Sequence, residues 1–246
     1  MGAIFNNTAY EMTVTVLPEA CASGKIKISQ LMMLHQIIGE KHLNAFGTTS
    51  ENMRSEQNLA FIFTKAAILV HRLPSENEKI TLRTWCSELK GVRFTRNYQT
   101  FNKNGVCLTE CKCEVTTLDL NSRRIVRPSS IEGFNDFLYN NELENACEAP
   151  KKLSASDELK SVKTVLITNE FIDFNNHVNN TIYADMMMSV LPEEKREEPI
   201  TKVYINFVNE VLLGEEIELF SFTNDENHIV CGKIEDKTVF IGELSF

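Results

Sequence analysis

The most unusual local sequence in this chain is Asp-Phe-Asn-Asn-His-Val-Asn-Asn, at residues 173–180. It places one carboxylate, one imidazole and four carboxamides directly before an apolar stretch with helical character. Asp and Asn favour turns and helix N-caps, so a strand-to-helix junction by itself accounts for part of this cluster. The density of polar groups exceeds what one cap requires, and we interpret the segment as a functional site centred on His177.

The apolar helix that follows the segment adds to this interpretation. Backbone N–H groups at the start of a helix have no intrahelical partner and carry partial positive charge, which suits a developing oxyanion. A histidine just ahead of such a helix can bind a substrate or orient water, and its role depends on the partner that sets its tautomer and charge.

The same segment carries a family resemblance. Its sequence D-F-N-N-H-V-N-N-T-I-Y resembles the catalytic loop of the plant and bacterial fatty acyl-carrier-protein thioesterases, D-x-N-x-H-V-N-N-x-x-Y. Further segments resemble the same family: TWCSELKGVRFTRNYQTFNKNG, LDLNSRRIVRPS and the tract from residue 26 to 47, which resembles its first long helix. The resemblance covers nearly the whole chain and implies a tandem double hotdog.

Roles for individual residues follow from the resemblance. Asp173, Asn175 and His177 match the catalytic loop, and Glu210 matches an acid on a downstream strand. In plant members a cysteine follows that acid, whereas this chain has Val211, so the resemblance excludes a cysteine nucleophile at that position.

The resemblance therefore implies that water attacks the thioester. Glu210 is the best candidate to accept the proton, although the sequence leaves open whether Glu210 or His177 is the general base. His177 and Asn175 would orient the water or the carbonyl, and Asp173 would hold the loop. The backbone near Asn179 and Asn180 would complete an oxyanion site, or these two residues would serve only as a helix cap.

The elements that must position these residues occur twice along the chain. Each half begins with a strand and an apolar helix and continues with alternating strands, and turns are expected at Asn104-Gly105 and at residues 235–237. One helix with several antiparallel strands, repeated once, predicts an α+β fold. We assign residues 1–128 to an N-terminal hotdog unit with the acyl-chain pocket and 161–246 to a C-terminal unit with the catalytic loop. Residues 129–160 are a connector, with a short helix expected near residues 134–139.

Substrate-binding residues are predicted from these assignments. We expect four side chains of the first unit to line the acyl pocket: Met32, Met33, Ile37 and Trp85. An acidic carrier protein needs a local basic surface, which three arginines just before the connector would provide: Arg123, Arg124 and Arg127. The alternative basic surface is a group of four lysines: Lys151, Lys152, Lys160 and Lys163.

Composition limits the other kinds of partner and cofactor. The 246 residues carry a net charge of −9, which disfavours nucleic-acid binding. The sequence lacks both a secretory signal and an apolar run long enough to span a bilayer, which favours a cytoplasmic location. The odd number of cysteines, seven, predicts free thiols. Cys111 and Cys113 share one face of a predicted strand, where we expect core or pocket packing rather than a metal site, and we expect no cofactor.

The leading hypothesis is hydrolysis of fatty acyl-carrier-protein thioesters in fatty acid biosynthesis, by a monomer or a homodimer. One alternative keeps the fold with an acyl coenzyme A substrate, and another is a hotdog protein that binds acyl chains or carrier protein without hydrolysis. A hotdog dehydratase is less favoured, because its acid–base pair would need a different helix and loop context.

Overall fold

The computed structural model describes residues 3–5, 8–47, 49–128 and 139–246. Its helices are α1 (Ile28–Ala45), α2 (Ser50–Gln57) and α3 (Ile182–Ser189). The apolar spacing that predicted the first long helix is confirmed by α1, which buries Ile28, Leu31 and Ile38 on one face. The short helix expected in the connector lies largely outside the described residues.

The strands fall into two sets along the chain. The first set is β1 (Ala3–Phe5), β2 (Ala9–Thr15), β5 (Leu59–Val70), β6 (Lys79–Lys90), β7 (Arg93–Asn102), β8 (Cys107–Asp119) and β9 (Arg124–Val126). The second set is β10 (Lys160–Leu166), β11 (Lys202–Phe207), β12 (Glu216–Thr223), β13 (Asn227–Ile234) and β14 (Lys237–Ser245). The two-residue strands β3 (Cys21–Ala22) and β4 (Lys25–Ile26) pair only with each other.

The described strands other than β3 and β4 form one antiparallel sheet that shows the predicted internal repeat. Its order is β1-β2-β6-β7-β8-β5-β11-β14-β13-β12-β10, and β9 pairs with β8. The run β2-β6-β7-β8-β5 in the first half corresponds to β10-β12-β13-β14-β11 in the second. The two halves join where β5 pairs with β11, with Ala66 opposite Ile205. The predicted α+β tandem double hotdog is confirmed.

Both predicted turns are confirmed. Asn104 and Gly105 lie in the β7–β8 turn, where Gly105 has a φ of +79°, a region that glycine enters without steric cost. Glu235 and Asp236 connect β13 to β14, and Ile234 pairs with Lys237.

Helices α1 and α3 pack on the sheet and contact each other. Met187 of α3 is fully buried and lies so close to β14 that a Cβ atom at Gly242 would be 2.2 Å from its sulfur. Glycine at 242 therefore permits α3 to approach the strand, and α3 follows directly from segment 173–180.

The described part of the connector crosses the outer side of the sheet where the two halves join. Cys147 and Leu153 pack with Ala67 of β5 and Tyr204 of β11. The Asn206 side chain accepts a hydrogen bond from the Leu153 N–H at 2.8 Å. No helix among the described residues is long and apolar enough to cross a membrane.

Candidate active site

The segment 173–180 folds back on itself immediately before α3. The Asp173 N–H donates to the carbonyl of His177 at 2.9 Å, and Ile172 forms a β-bridge with Val178. Asn176 occupies the tip with a φ of +64°, a left-handed conformation that asparagine adopts more readily than most residues. The turn preference of Asn and Asp thus accounts for the loop, and the same loop presents the side chains between them.

Asp173 fixes the orientation of Asn175. Its carboxylate accepts the Asn175 backbone N–H at 2.7 Å and the side-chain Nδ2 at 3.2 Å. Because an ionised carboxylate only accepts hydrogen bonds, the amide must turn its NH₂ group toward Asp173. The opposite atom, Asn175 Oδ1, is buried and has no hydrogen-bond partner among the described residues. This oxygen can accept a hydrogen bond from a bound water.

His177 and Glu210 meet across the site. Nε2 of His177 lies 3.2 Å from Oε2 of Glu210, and the two side chains are 29% and 44% exposed. The same Oε2 receives Nη2 of Arg123 at 3.0 Å. The contact with a carboxylate places the proton of a neutral His177 on Nε2. Since both partners lie on Oε2, Oε1 of Glu210 is left to interact with water or substrate.

The end of β11 directs Glu210 toward the loop. The N–H groups of Val208 and Asn209 both point to the carbonyl of Val239, at 2.9 and 3.2 Å, so the regular ladder stops there. Val211 is fully buried, and its carbonyl accepts the Val178 N–H at 2.9 Å. This hydrogen bond ties the Glu210 loop to the loop of His177.

The start of α3 gives different roles to its two asparagines. The Asn179 side chain accepts the N–H and the hydroxyl of Thr181, each at 3.0 Å, and its own N–H donates to Phe171. The Asn179 side chain therefore supports Thr181, the N-cap of α3, and the Asn179 backbone N–H is not available for an oxyanion. The Asn180 N–H has no hydrogen-bond partner among the described residues, and Asn180 lines a cavity. Asn179 also contacts Gln36 of α1 at 3.2 Å, which links the first half to the segment 173–180.

That cavity has a volume of about 30 Å³ and is partly open to solvent. Ten residues line it: Met32, His35, Gln36, Phe63, Ala66, Tyr98, Cys111, Cys113, Asn180 and Phe207. Eight of them belong to the first half, in the region expected to hold an acyl chain. Of the four predicted pocket residues, only Met32 lines this cavity. Met33 is half-buried, and Ile37 is on the outside of α1 at 40% exposure. Trp85 is fully buried elsewhere in the core.

Side chains that the sequence did not single out complete the cavity. His35 stacks on Tyr98 at a centroid distance of 4.5 Å, and burial lowers the pKa of His35 to about 3, so the ring is neutral. Helical spacing contained a usable signal, because Met32, His35 and Gln36 share one face of α1. The contribution of Phe63 and Ala66 depends on how β5 lies against α1, for which the sequence has no local signal.

Cys111 and Cys113 lie side by side on the cavity wall, with their sulfur atoms 3.6 Å apart. The hydrogen bond with Cys113 and burial raise the pKa of Cys111 well above that of a free thiol. Such a thiol is a poor nucleophile. The predicted pocket packing of this pair is confirmed.

The three arginines expected to contact a carrier protein lie beside the site. Arg123, in the turn between β8 and β9, is 61% exposed even though it contacts Glu210. Arg124 at the start of β9 and Arg127 just beyond its end are both exposed.

The double-hotdog fold of this chain is shared by solved structures of acyl-ACP thioesterases. The chain is similar in structure to an acyl-ACP thioesterase from Bacteroides thetaiotaomicron, with a TM-score of 0.89 and 19% identity over 98% of each chain. It is also similar to the 12:0-ACP thioesterase from Umbellularia californica, with a TM-score of 0.80 and 16% identity over 96% of each chain. The comparison with curated proteins finds no match.

Family models assign the chain to a family of this fold. The acyl-ACP thioesterase N-terminal domain matches residues 7–130, and the C-terminal domain matches residues 155–240. The chain belongs to the acyl-ACP thioesterase family and is a thioester hydrolase, as the resemblance of segment 173–180 predicted.

Proposed function

We propose that this enzyme releases a fatty acid from acyl carrier protein by direct attack of water, activated between Glu210 and the catalytic loop. The observation that carries this proposal is the 3.2 Å contact between His177 and Glu210, because it brings the acid of the second element to the loop. The two residues are 33 positions apart in sequence and meet only in the folded chain.

The proposed reaction uses two hydrogen-bond acceptors, Oε1 of Glu210 and Oδ1 of Asn175, and one donor, the Asn180 N–H. Oε1 of Glu210 accepts a proton from water while Asn175 Oδ1 holds the other hydrogen. The water oxygen bonds to the thioester carbon, and the Asn180 N–H stabilises the negative charge on the former carbonyl oxygen. When the carbon–sulfur bond breaks, the thiolate of the carrier's prosthetic group takes the proton back from Glu210. The products are a fatty acid and the free thiol.

The acyl chain enters at the cavity between α1 and the sheet, which must widen from its volume of about 30 Å³ to hold it. Asn180, whose N–H is proposed to face the carbonyl, also lines this cavity, so the reacting carbon lies at its mouth. The hydrogen bond between Gln36 of α1 and Asn179 of the loop holds the cavity next to the loop.

Replacement of Glu210 by Gln tests the general base. Loss of a general base lowers rates by about 10²- to 10⁴-fold, so Glu210→Gln should reduce kcat by that factor in an assay of thiol release from acyl carrier protein. Glu235→Gln, at the exposed β13–β14 turn, is the matched control and should leave kcat unchanged. If Glu210→Gln and His177→Ala both retain full activity, the proposed active site is wrong.

Direct attack by water is tested separately from the identity of the base. A single turnover that is quenched with acid and analysed by mass spectrometry should show only unmodified enzyme. A mass increase equal to the acyl group would overturn direct attack and point to a covalent intermediate.

Selection of the carrier protein is assigned to the exposed arginines. Charge reversal in Arg124→Glu should raise KM for an acyl carrier protein substrate and leave KM for the matching acyl coenzyme A much less affected, because a protein surface presents many acidic groups. Lys103→Glu, in the turn at the opposite end of β8, controls for net charge. Equal effects of Arg124→Glu on both substrates would favour an acyl coenzyme A thioesterase. The cytoplasmic location and the role in fatty acid biosynthesis stay predictions.

A further inference from the structure

A second cluster of polar side chains lies on the outer face of the sheet. His71, Cys107 and Glu110 each offer a ligand atom, and these three atoms lie within 4.8 Å of one another. His71 follows the end of β5, and the other two belong to β8. Leu69 pairs with Lys202 at the start of β11, whereas Glu210 lies beyond its end, so this cluster and the candidate active site are at opposite ends of the β5–β11 ladder.

A β-bulge brings the three side chains to one face. Glu110 is paired with Gln99, and Cys107 with Phe101, because a register shift between Thr100 and Phe101 leaves Leu108 as an extra residue in β8. Without the bulge, simple alternation would place Cys107 and Glu110 on opposite faces. Glu110 is also paired with Leu69, so the residue two positions further, His71, is on the same face again.

The carboxylate of Glu110 is buried and held in one orientation. It is 5% exposed, and its Oε2 accepts Gln99 Nε2 at 3.0 Å and the Ala146 N–H of the connector at 2.7 Å. Its other oxygen, Oε1, faces Nε2 of His71 at 3.2 Å. Hydrogen bonds that orient one oxygen while the other faces additional donors are the arrangement found around metal-binding carboxylates.

The distances fit a zinc-sized ion. Two ligands about 2.0 Å from Zn²⁺ at a tetrahedral angle lie about 3.3 Å apart, which matches the His71–Glu110 separation. The thiol sulfur of Cys107 needs to move by about an ångström to join them. His71 is exposed, so the fourth position faces solvent and can be filled by water.

We propose that His71, Cys107 and Glu110 bind a zinc ion that pins the end of the β5–β8 pair to the connector. Imidazole, thiolate and carboxylate are the three protein ligands that zinc prefers. The ion would also supply the positive charge that a buried carboxylate requires. Zinc would bind Cys107 as the thiolate, with release of the thiol proton. With three protein ligands and one position left for water, the ion would hold the connector through Glu110, the ligand that contacts it.

Titration of the chelator-treated full chain with Co²⁺ tests the site. A thiolate-to-cobalt charge-transfer band should appear at one equivalent, and Zn²⁺ should abolish it by competition. Cys107→Ser should remove the band, and His71→Gln should weaken Zn²⁺ binding by more than the 10- to 100-fold seen for second-shell changes. Cys21→Ser removes another partly exposed thiol that is not part of the cluster and is the matched control. These variants leave Glu110 and its connector hydrogen bonds intact, so they avoid the most obvious folding defect.

Two results would overturn the proposal. One is the absence of the band in the unmodified chain, and the other is a band that survives in Cys107→Ser. Zinc should also raise Tm of the unmodified chain and not that of Cys107→Ser. Because the cluster is remote from Glu210, the zinc-free chain should retain thioester hydrolysis, so failure of this proposal and failure of the proposed function give different results.

Discussion

At the scale of single residues, two oxygens of the site have no hydrogen-bond partner among the described residues. Asn175 Oδ1 is buried without a hydrogen bond because Asp173 holds the NH₂ side of the amide. A buried unpaired acceptor costs about 1–3 kcal/mol, so a native fold that retains one points to a bound water or substrate as its partner. The Glu210 carboxylate is similar, because Arg123 and His177 both contact Oε2 and leave Oε1 open.

Replacement of Asn175 by Asp tests this interpretation. The new carboxylate would face Asp173 and lose the hydrogen bond from Nδ2, so the loop should open and kcat should fall by about 10²-fold or more. The measurement is the initial rate of thiol release with acyl carrier protein in saturating amounts. Asn176→Asp, at the exposed loop tip, is the control and should stay close to the wild-type rate. A wild-type rate in Asn175→Asp would remove Asn175 from the mechanism.

At the scale of secondary-structure elements, the catalytic loop depends on how α3 approaches the sheet. Gly242 of β14 leaves room for Met187, and that contact fixes the position of the helix that begins just after Asn180. Gln36 of α1 adds a hydrogen bond to Asn179 from the other half of the chain. The loop is therefore positioned by elements of both hotdog units.

Replacement of Gly242 by Ala should displace α3. The added Cβ atom would lie 2.2 Å from the Met187 sulfur, and overpacking of this kind costs about 1–3 kcal/mol. Urea unfolding measures the loss of stability, and the same variant should have a lower kcat because the loop moves with the helix. A double variant, Gly242→Ala with Met187→Ala, should lose less stability than the sum of the two single variants. Additive losses would show that the two residues do not compete for this space.

At the scale of the whole molecule, the cavity is a product of the tandem fold. The first half contributes most of its wall, and the second half adds Asn180, the last residue of segment 173–180, and Phe207 at the end of β11. The continuous pairing of β5 with β11 holds the two parts together. A single unit would lack either the cavity or the loop.

Changes in the volume of this cavity should shift the preferred acyl chain in opposite directions. Ala66→Leu adds bulk to the wall and should favour shorter chains, whereas Phe63→Ala removes bulk and should favour longer ones. A panel of acyl carrier proteins with different chain lengths measures kcat/KM for each variant. Shifts in the same direction, or no shift in either variant, would argue against this cavity as the acyl site.

The sequence by itself determined the elements and the local chemistry of this protein. Helical spacing predicted α1, alternation and turn residues predicted both hairpins, and the repeated order of elements predicted a repeated α+β unit. The family resemblance identified that repeat as a double hotdog. The segment 173–180 was recognisable because the turn, the helix cap and the candidate catalytic side chains are all local in sequence. Resemblance placed Glu210 with them, and the structure brings Glu210 into contact with His177.

The tertiary structure alone decided which residues meet across elements. Trp85 and Ile37 were expected in the pocket, yet the packing of α1 on the sheet places Ile37 outside and Trp85 in the core, and lines the cavity with His35, Tyr98 and others. The bulge that aligns Cys107 with Glu110 likewise has no signature in the spacing of those residues. Local patterns specify which face of an element is buried, whereas register and packing between distant elements specify which side chains share a site.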